Sequence, residues 1–200
     1  MEQNKTFSTI KKNPFNYLRS KMIAKMIVDG LDKHQIYDKC FHKNQIDIKS
    51  LERRREVTNE IYRRLINLDP FLLKSFLSLD IITSKCILVY AIAKVDLLFY
   101  EFLSETYRDS LLGDKKYISM DDFDNFFLSK KETNPTVASW SPTTIELLSK
   151  GYRKLLVDSA LGIRKVKNIY VNKIIIHPEI HKHIKNIGDF KYIQSILGER

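Results

Sequence analysis

Cysteine and glycine are scarce in this 200-residue chain, and each scarcity removes a class of site. The two cysteines, Cys40 and Cys86, make no zinc-finger spacing, and neither sits beside a histidine at ligand distance in sequence. They read as small hydrophobes in a reduced, cytoplasmic protein. Six glycines offer little for the cradles that hold cofactor phosphates. No P-loop, G-x-G-x-x-G, G-x-S-x-G, H-E-x-x-H or paired-cysteine motif is present. The expectation is a binding protein rather than an enzyme, with no cofactor and no metal. Residues 1–10 lack the apolar core of a secretory signal.

An uninterrupted apolar run is also missing. The nearest approach is CILVYAIAKVDLLFYEFL at 86–103, and Lys94, Asp96 and Glu101 break it. A charge near the bilayer centre costs roughly 2.5–3.5 kcal/mol, so three in one span argue for a buried helix and against a membrane partner.

Cations are abundant. Lysine and arginine number 34 against 24 acids, a net charge of +10, within an otherwise ordinary composition of 44% hydrophobic and 29% charged residues. Such an excess draws anionic partners, nucleic acid first and a membrane surface second.

Periodicity predicts helices over most of the chain. Residues 17–28 carry Leu18, Met22, Ile23, Met26 and Ile27 as an apolar stripe, ended by Asp29-Gly30. A short helix follows at 32–41. Ser50 is the expected N-cap of a long helix with Val57, Ile61, Leu65 and Leu68 on one face. Residues 71–79 and 84–110 read as two more helices. From Ser119 the pattern changes: a capped helix to about 130, a polar loop at 131–139, and a helix from Ser141-Pro142 to about 159. The β-branched stretch Ile169, Val171, Ile174, Ile175, Ile176 then suggests two short strands, before a last short helix after Pro178. The expected fold is mainly α: a helical bundle at 1–112, then a winged-helix-like part with a short β-hairpin at 113–200, the two packed as one unit.

Two basic groups are candidate phosphate contacts. The first is Arg53, Arg54, Arg55, Arg63 and Arg64. Arginine suits phosphate because its planar fork donates two hydrogen bonds at once. Arg53 and Arg64 fall on one flank of their helix, while Arg54 lies near the apolar face. The competing reading is a solvated helix in which Glu60 pairs with Arg64 at i, i+4. The second group is Arg164, Lys165, Lys167 and Lys173, flanking the hairpin; there, cations position a protein on a backbone without reading sequence. Alternatively those lysines guard a polar hairpin against edge pairing, and Tyr170 either stacks on a ligand or caps the core. His177, His181 and His183 lack a completing ligand set, and Asp121, Asp122 and Asp124 sit where a helix N-terminus favours negative charge.

The order of these segments resembles the BrxA family of bacteriophage-exclusion (BREX) defence systems. The segments that carry the likeness are FNYLRSKMIAKMIVDG, RREVTNEIYRRLINLD, AIAKVDLLFYEFL, SMDDFDNFF and WSPTTIELLSKGYRKLLVDSALG, spread over about residues 14–185. The resemblance implies a small helical protein, similar in part to NusB-type RNA-binding factors, that binds nucleic acid within a phage-defence operon. It also implies other BREX proteins as partners, and it carries over no catalytic residue. Members have been labelled inner-membrane proteins, which the charges in 86–103 oppose. The combined expectation is a cytoplasmic accessory protein that binds DNA, more than RNA, by backbone electrostatics. A protein–protein adaptor is the rival.

Overall fold

A computed structural model of the chain describes residues 6–12 and 14–199. Residues 1–5, half of the segment read for a secretory signal, lie outside the described residues.

Local capping chemistry starts most of the α-helices. After a 3-10 turn at Thr9–Lys11 comes α1 (Tyr17–Val28), then α2 (Lys33–Tyr37), which runs on into a π-helical turn at Asp38–His42. Asp32 and Gln35 form a reciprocal capping box at α2. The Ser50 hydroxyl accepts from the Arg53 N–H at the head of α3 (Leu51–Leu65). Asp69 and Pro70 start α4 (Pro70–Ser78), and Asp80 accepts from two N–H groups at α5 (Ile81–Val95). Val57, Ile61, Leu65 and Leu68 are all buried, as the spacing predicts. In α1 the stripe is rotated: Leu18 is 74% exposed, and Ser20, Ile23, Ala24 and Met26 form the inner face.

The single helix expected over 84–110 is broken. Asp96 has extended backbone, ends α5, and accepts from the Phe99 N–H to open α6 (Leu97–Phe102). A π-helical turn at Leu103–Tyr107 and α7 (Arg108–Leu112) follow. An aspartate whose carboxylate can satisfy the next turn's N–H competes with helix continuation, and here it wins. Among the described residues, no helix is long and apolar enough to cross a membrane.

The later half holds α8 (Met120–Thr133), α9 (Pro135–Ala138) and α10 (Pro142–Asp158) between β1 (Tyr117–Ile118) and the hairpin β2 (Gly162–Lys165) and β3 (Asn168–Val171). The polar loop expected at 131–139 is instead the end of α8 plus α9, because Asn134 caps two N–H groups ahead of Pro135. Strand β1 was not anticipated from the sequence. It pairs antiparallel with β3, Tyr117 opposite Tyr170, giving the sheet order β1-β3-β2. Ile174, Ile175 and Ile176 lie beyond the sheet, and the chain closes with two helices, α11 (Pro178–Asn186) and α12 (Phe190–Leu197).

One apolar cluster runs through both halves. Phe102 of α6 stacks on Phe123 of α8, and Phe99 meets Tyr152 of α10 edge-on, each at 5.2 Å between ring centres. The N-terminal turn is wedged against α10. A Cβ on Gly151 would stand 2.7 Å from the Ile10 carbonyl oxygen, so only glycine lets the two backbones meet there.

Candidate nucleic-acid interface

Four of the five arginines of α3 are occupied by the protein itself. Arg64 is fully buried, with Nε 3.0 Å from Glu60, and it donates to the Pro14 carbonyl. Arg63 holds the same carboxylate at 2.8 Å, and its guanidinium lies 3.9 Å from the centre of the Phe7 ring. Arg54 donates to the carbonyls of Ile48, Phe41 and Lys49. Arg53 pairs with Glu56 at 2.9 Å and donates to the Lys12 carbonyl. Arg55 is exposed. The expected phosphate-binding flank of Arg53 and Arg64 is therefore corrected: Arg64 points into the core, where an unpaired charge is strongly unfavourable, and Glu60 answers it. Burial would raise the Glu60 carboxyl, but Arg64 and Arg63 outweigh it and hold the group below its ordinary range. Burial lowers the Arg64 guanidinium, with Glu60 opposing.

The hairpin cations have a different setting. Arg164, Lys165 and Lys167 are exposed, and Arg164 faces a neighbour that the sequence reading overlooked. A groove of about 590 Å³ between α10 and the β2–β3 hairpin is lined by Lys150, Arg153, Lys154, Val157, Asp158, Arg164 and Ile169. Ser141 and Pro142 start α10, and its inner face buries Leu148, Tyr152, Leu155 and Leu156. That anchorage turns Lys150 and Lys154 outward. Arg153 is half-buried; burial first and the nearby Arg164 second lower its pKa, so two guanidinium groups converge on this groove. Three acids temper the field: Glu146 lies 2.5 Å from Lys150, Asp158 lies 2.8 Å from Lys154, and the charge of Asp124 bears on Arg153. Lys150, Arg153 and Lys154 recur at i, i+3, i+4, a spacing legible as one helical face. Lys173 is exposed too, but it lines a separate recess with Ile174, His181 and Glu199.

The family model for BrxA matches residues 7–188. The chain belongs to the BrxA family. It is 27% identical over 192 residues, 96% of each chain, to a protein of Bacillus cereus (strain H3081.97) described as BREX protein BrxA. Its fold is similar to the crystal structure of an uncharacterized protein from Magnetospirillum magneticum, with TM-score 0.84 and 16% identity over 96% of this chain and 98% of that one.

The remaining sequence candidates in this BrxA-family chain serve the fold. His177 accepts from the Glu179 N–H at the start of α11. His181 lies 2.9 Å from Glu199, and His183 lies 2.7 Å from Asp69 with its ring against Phe71. Asp122 completes a capping box with Ser119 at α8 and also pairs with Lys115. Among the described residues, no three His, Cys, Asp or Glu side chains converge as a metal site. Burial pushes the Cys40 thiol up to about 11 and the Cys86 thiol to about 12, so neither is a ready nucleophile. Tyr170 sits on the outer face of the sheet beside Tyr117, with Lys165 4.8 Å from its ring centre.

Proposed function

We propose that this BrxA-family protein is a non-catalytic, cytoplasmic accessory component of BREX phage defence that binds duplex DNA through its phosphates. Family membership supports the defence role. The observation that carries DNA binding is the convergence of Lys150, Arg153 and Lys154 of α10 with Arg164 of β2 in one groove. The order of β1, helices and hairpin, with sheet order β1-β3-β2, supports a winged-helix reading of this half. In that arrangement α10 lies along the major groove while Arg164, Lys165 and Lys167 on the hairpin engage the neighbouring backbone. Phosphate contacts of this kind fix position and carry no sequence information, so affinity is strongly salt-dependent and sequence preference weak.

The test is fluorescence anisotropy on labelled duplexes across a salt series. Phosphate contacts from these six side chains give a log–log salt slope of about −5. Charge reversal at Lys150, Lys154 and Arg164 together lowers affinity by about tenfold or more at physiological salt, whereas Arg53→Glu has little effect on DNA. A flat salt response overturns the reading. If the triple reversal leaves DNA binding intact and releases another BREX protein instead, the adaptor reading replaces it.

A further inference from the structure

The tip of the β2–β3 hairpin carries a side chain that its backbone disfavours. Lys165 pairs with Asn168, which leaves Val166-Lys167 as a two-residue loop, and Val166 has φ of 55°. The first position of such a loop takes positive φ and is dominated by Gly, Asn and Asp, because a Cβ is crowded there. Among the described residues, the other non-glycine positions with positive φ hold Asn, Asp, Lys or Ala; only this one is β-branched. For a β-branched residue that conformation is a genuine outlier. The fold gains no packing in return, since Val166 is 89% exposed, more than any other large hydrophobic residue described.

The neighbours of this side chain are cationic. Arg164, Lys165 and Lys167 are all exposed, and the Arg164 Nε donates to the Val166 carbonyl at 3.4 Å across the turn. The tip therefore presents one compact apolar group between positive charges. The minor groove of duplex DNA has the complementary form: two phosphate rims about 6 Å apart over a floor that accepts apolar wedges. A two-residue turn fits that width, whereas a helix does not.

We propose that Val166 is a minor-groove wedge, held clear of the protein by its strained turn while Lys165 and Lys167 engage the phosphates on either rim. This rests on the duplex-binding reading above and adds to it a contact that α10 does not make. Native stability is traded for binding at this position, and that trade gives the test its two readouts.

Val166→Gly and Val166→Asn both tolerate positive φ, the first by freeing the turn and the second while keeping it ordered and polar. Both are expected to raise Tm, by about 2–4 °C for a chain of this size. Both are expected to weaken binding to a short labelled duplex by about tenfold, the loss for an unburied valine side chain. Netropsin, a minor-groove ligand, should displace the wild-type protein more readily than either variant. Unchanged affinity and netropsin sensitivity in both variants would overturn the wedge while leaving the phosphate contacts of α10 standing. A loss confined to Val166→Gly would also overturn it, because flexibility would then be the cause. Absence of salt-dependent binding by the wild type would instead defeat the duplex reading itself.

Discussion

Asp96 divides the most apolar stretch of the chain with a buried carboxyl. Burial pushes its pKa up from 3.8 to about 7, against the opposing pull of the Phe99 N–H and of Arg63 and Arg64, and its Oδ2 makes no hydrogen bond. Because the folded value lies above the unfolded one, the native state holds the extra proton between about pH 4 and 7. The group's stabilising contribution is therefore fully present below about pH 4 and is lost as pH rises through about 7. Asn keeps the cap and removes the charge. Asp96→Asn is thus expected to gain stability over the wild type, most of all near pH 8, with a smaller change in Tm between about pH 5 and pH 8; a larger change than in the wild type would contradict this account. Gly151 illustrates a different constraint. Alanine is the better helix former, yet its Cβ would meet the Ile10 carbonyl at 2.7 Å. Gly151→Ala should destabilise the protein by about 1–3 kcal/mol in urea unfolding, the range for overpacking in a close-packed site. Neither role was legible in sequence, because the burial of Asp96 and the approach of Ile10 to Gly151 are both set by the fold.

At the level of elements, caps were the most legible feature. Ser50, Ser119 and Ser141 each accept from the N–H three residues on, and each marks a boundary that sequence reasoning located. Ser141→Ala should cost about 1 kcal/mol, measured by thermal or urea unfolding, and should loosen the start of α10. The two-residue strand β1 escaped notice because alternation needs more residues than it has. The basic face of α10 escaped for another reason. Its cations are interleaved with Leu, Tyr and Gly, so the run SKGYRKLLVDS reads first as a core helix. Lys150→Ala and Lys154→Ala are each expected to reduce the salt slope of duplex binding by about one, without the loss of stability that changes on the inner face would bring. No change in slope for either would remove α10 from the interface.

Across the whole molecule, the final helices tie the two halves together. Asp189 accepts from the Tyr90 hydroxyl and lies 2.7 Å from Lys94, both on α5, while His183 of α11 reaches Asp69 ahead of α4. With an apolar cluster continuous through both halves, we expect one cooperative unfolding transition. Far-ultraviolet dichroism and Trp140 fluorescence should trace the same curve; two resolved transitions would show that 1–112 and 113–200 fold independently. The chain alone determined the helical class, the cap positions, the excess of cations and the likeness to the BrxA family, because these depend on local propensity and composition. Which cations remain available to a polyanion was decided by tertiary structure. Arg64 and Lys154 look alike in sequence, each with an acid four residues away on its own helix. Packing turns one side chain into the core and the other toward solvent, and burial then commits the first to its carboxylate partner.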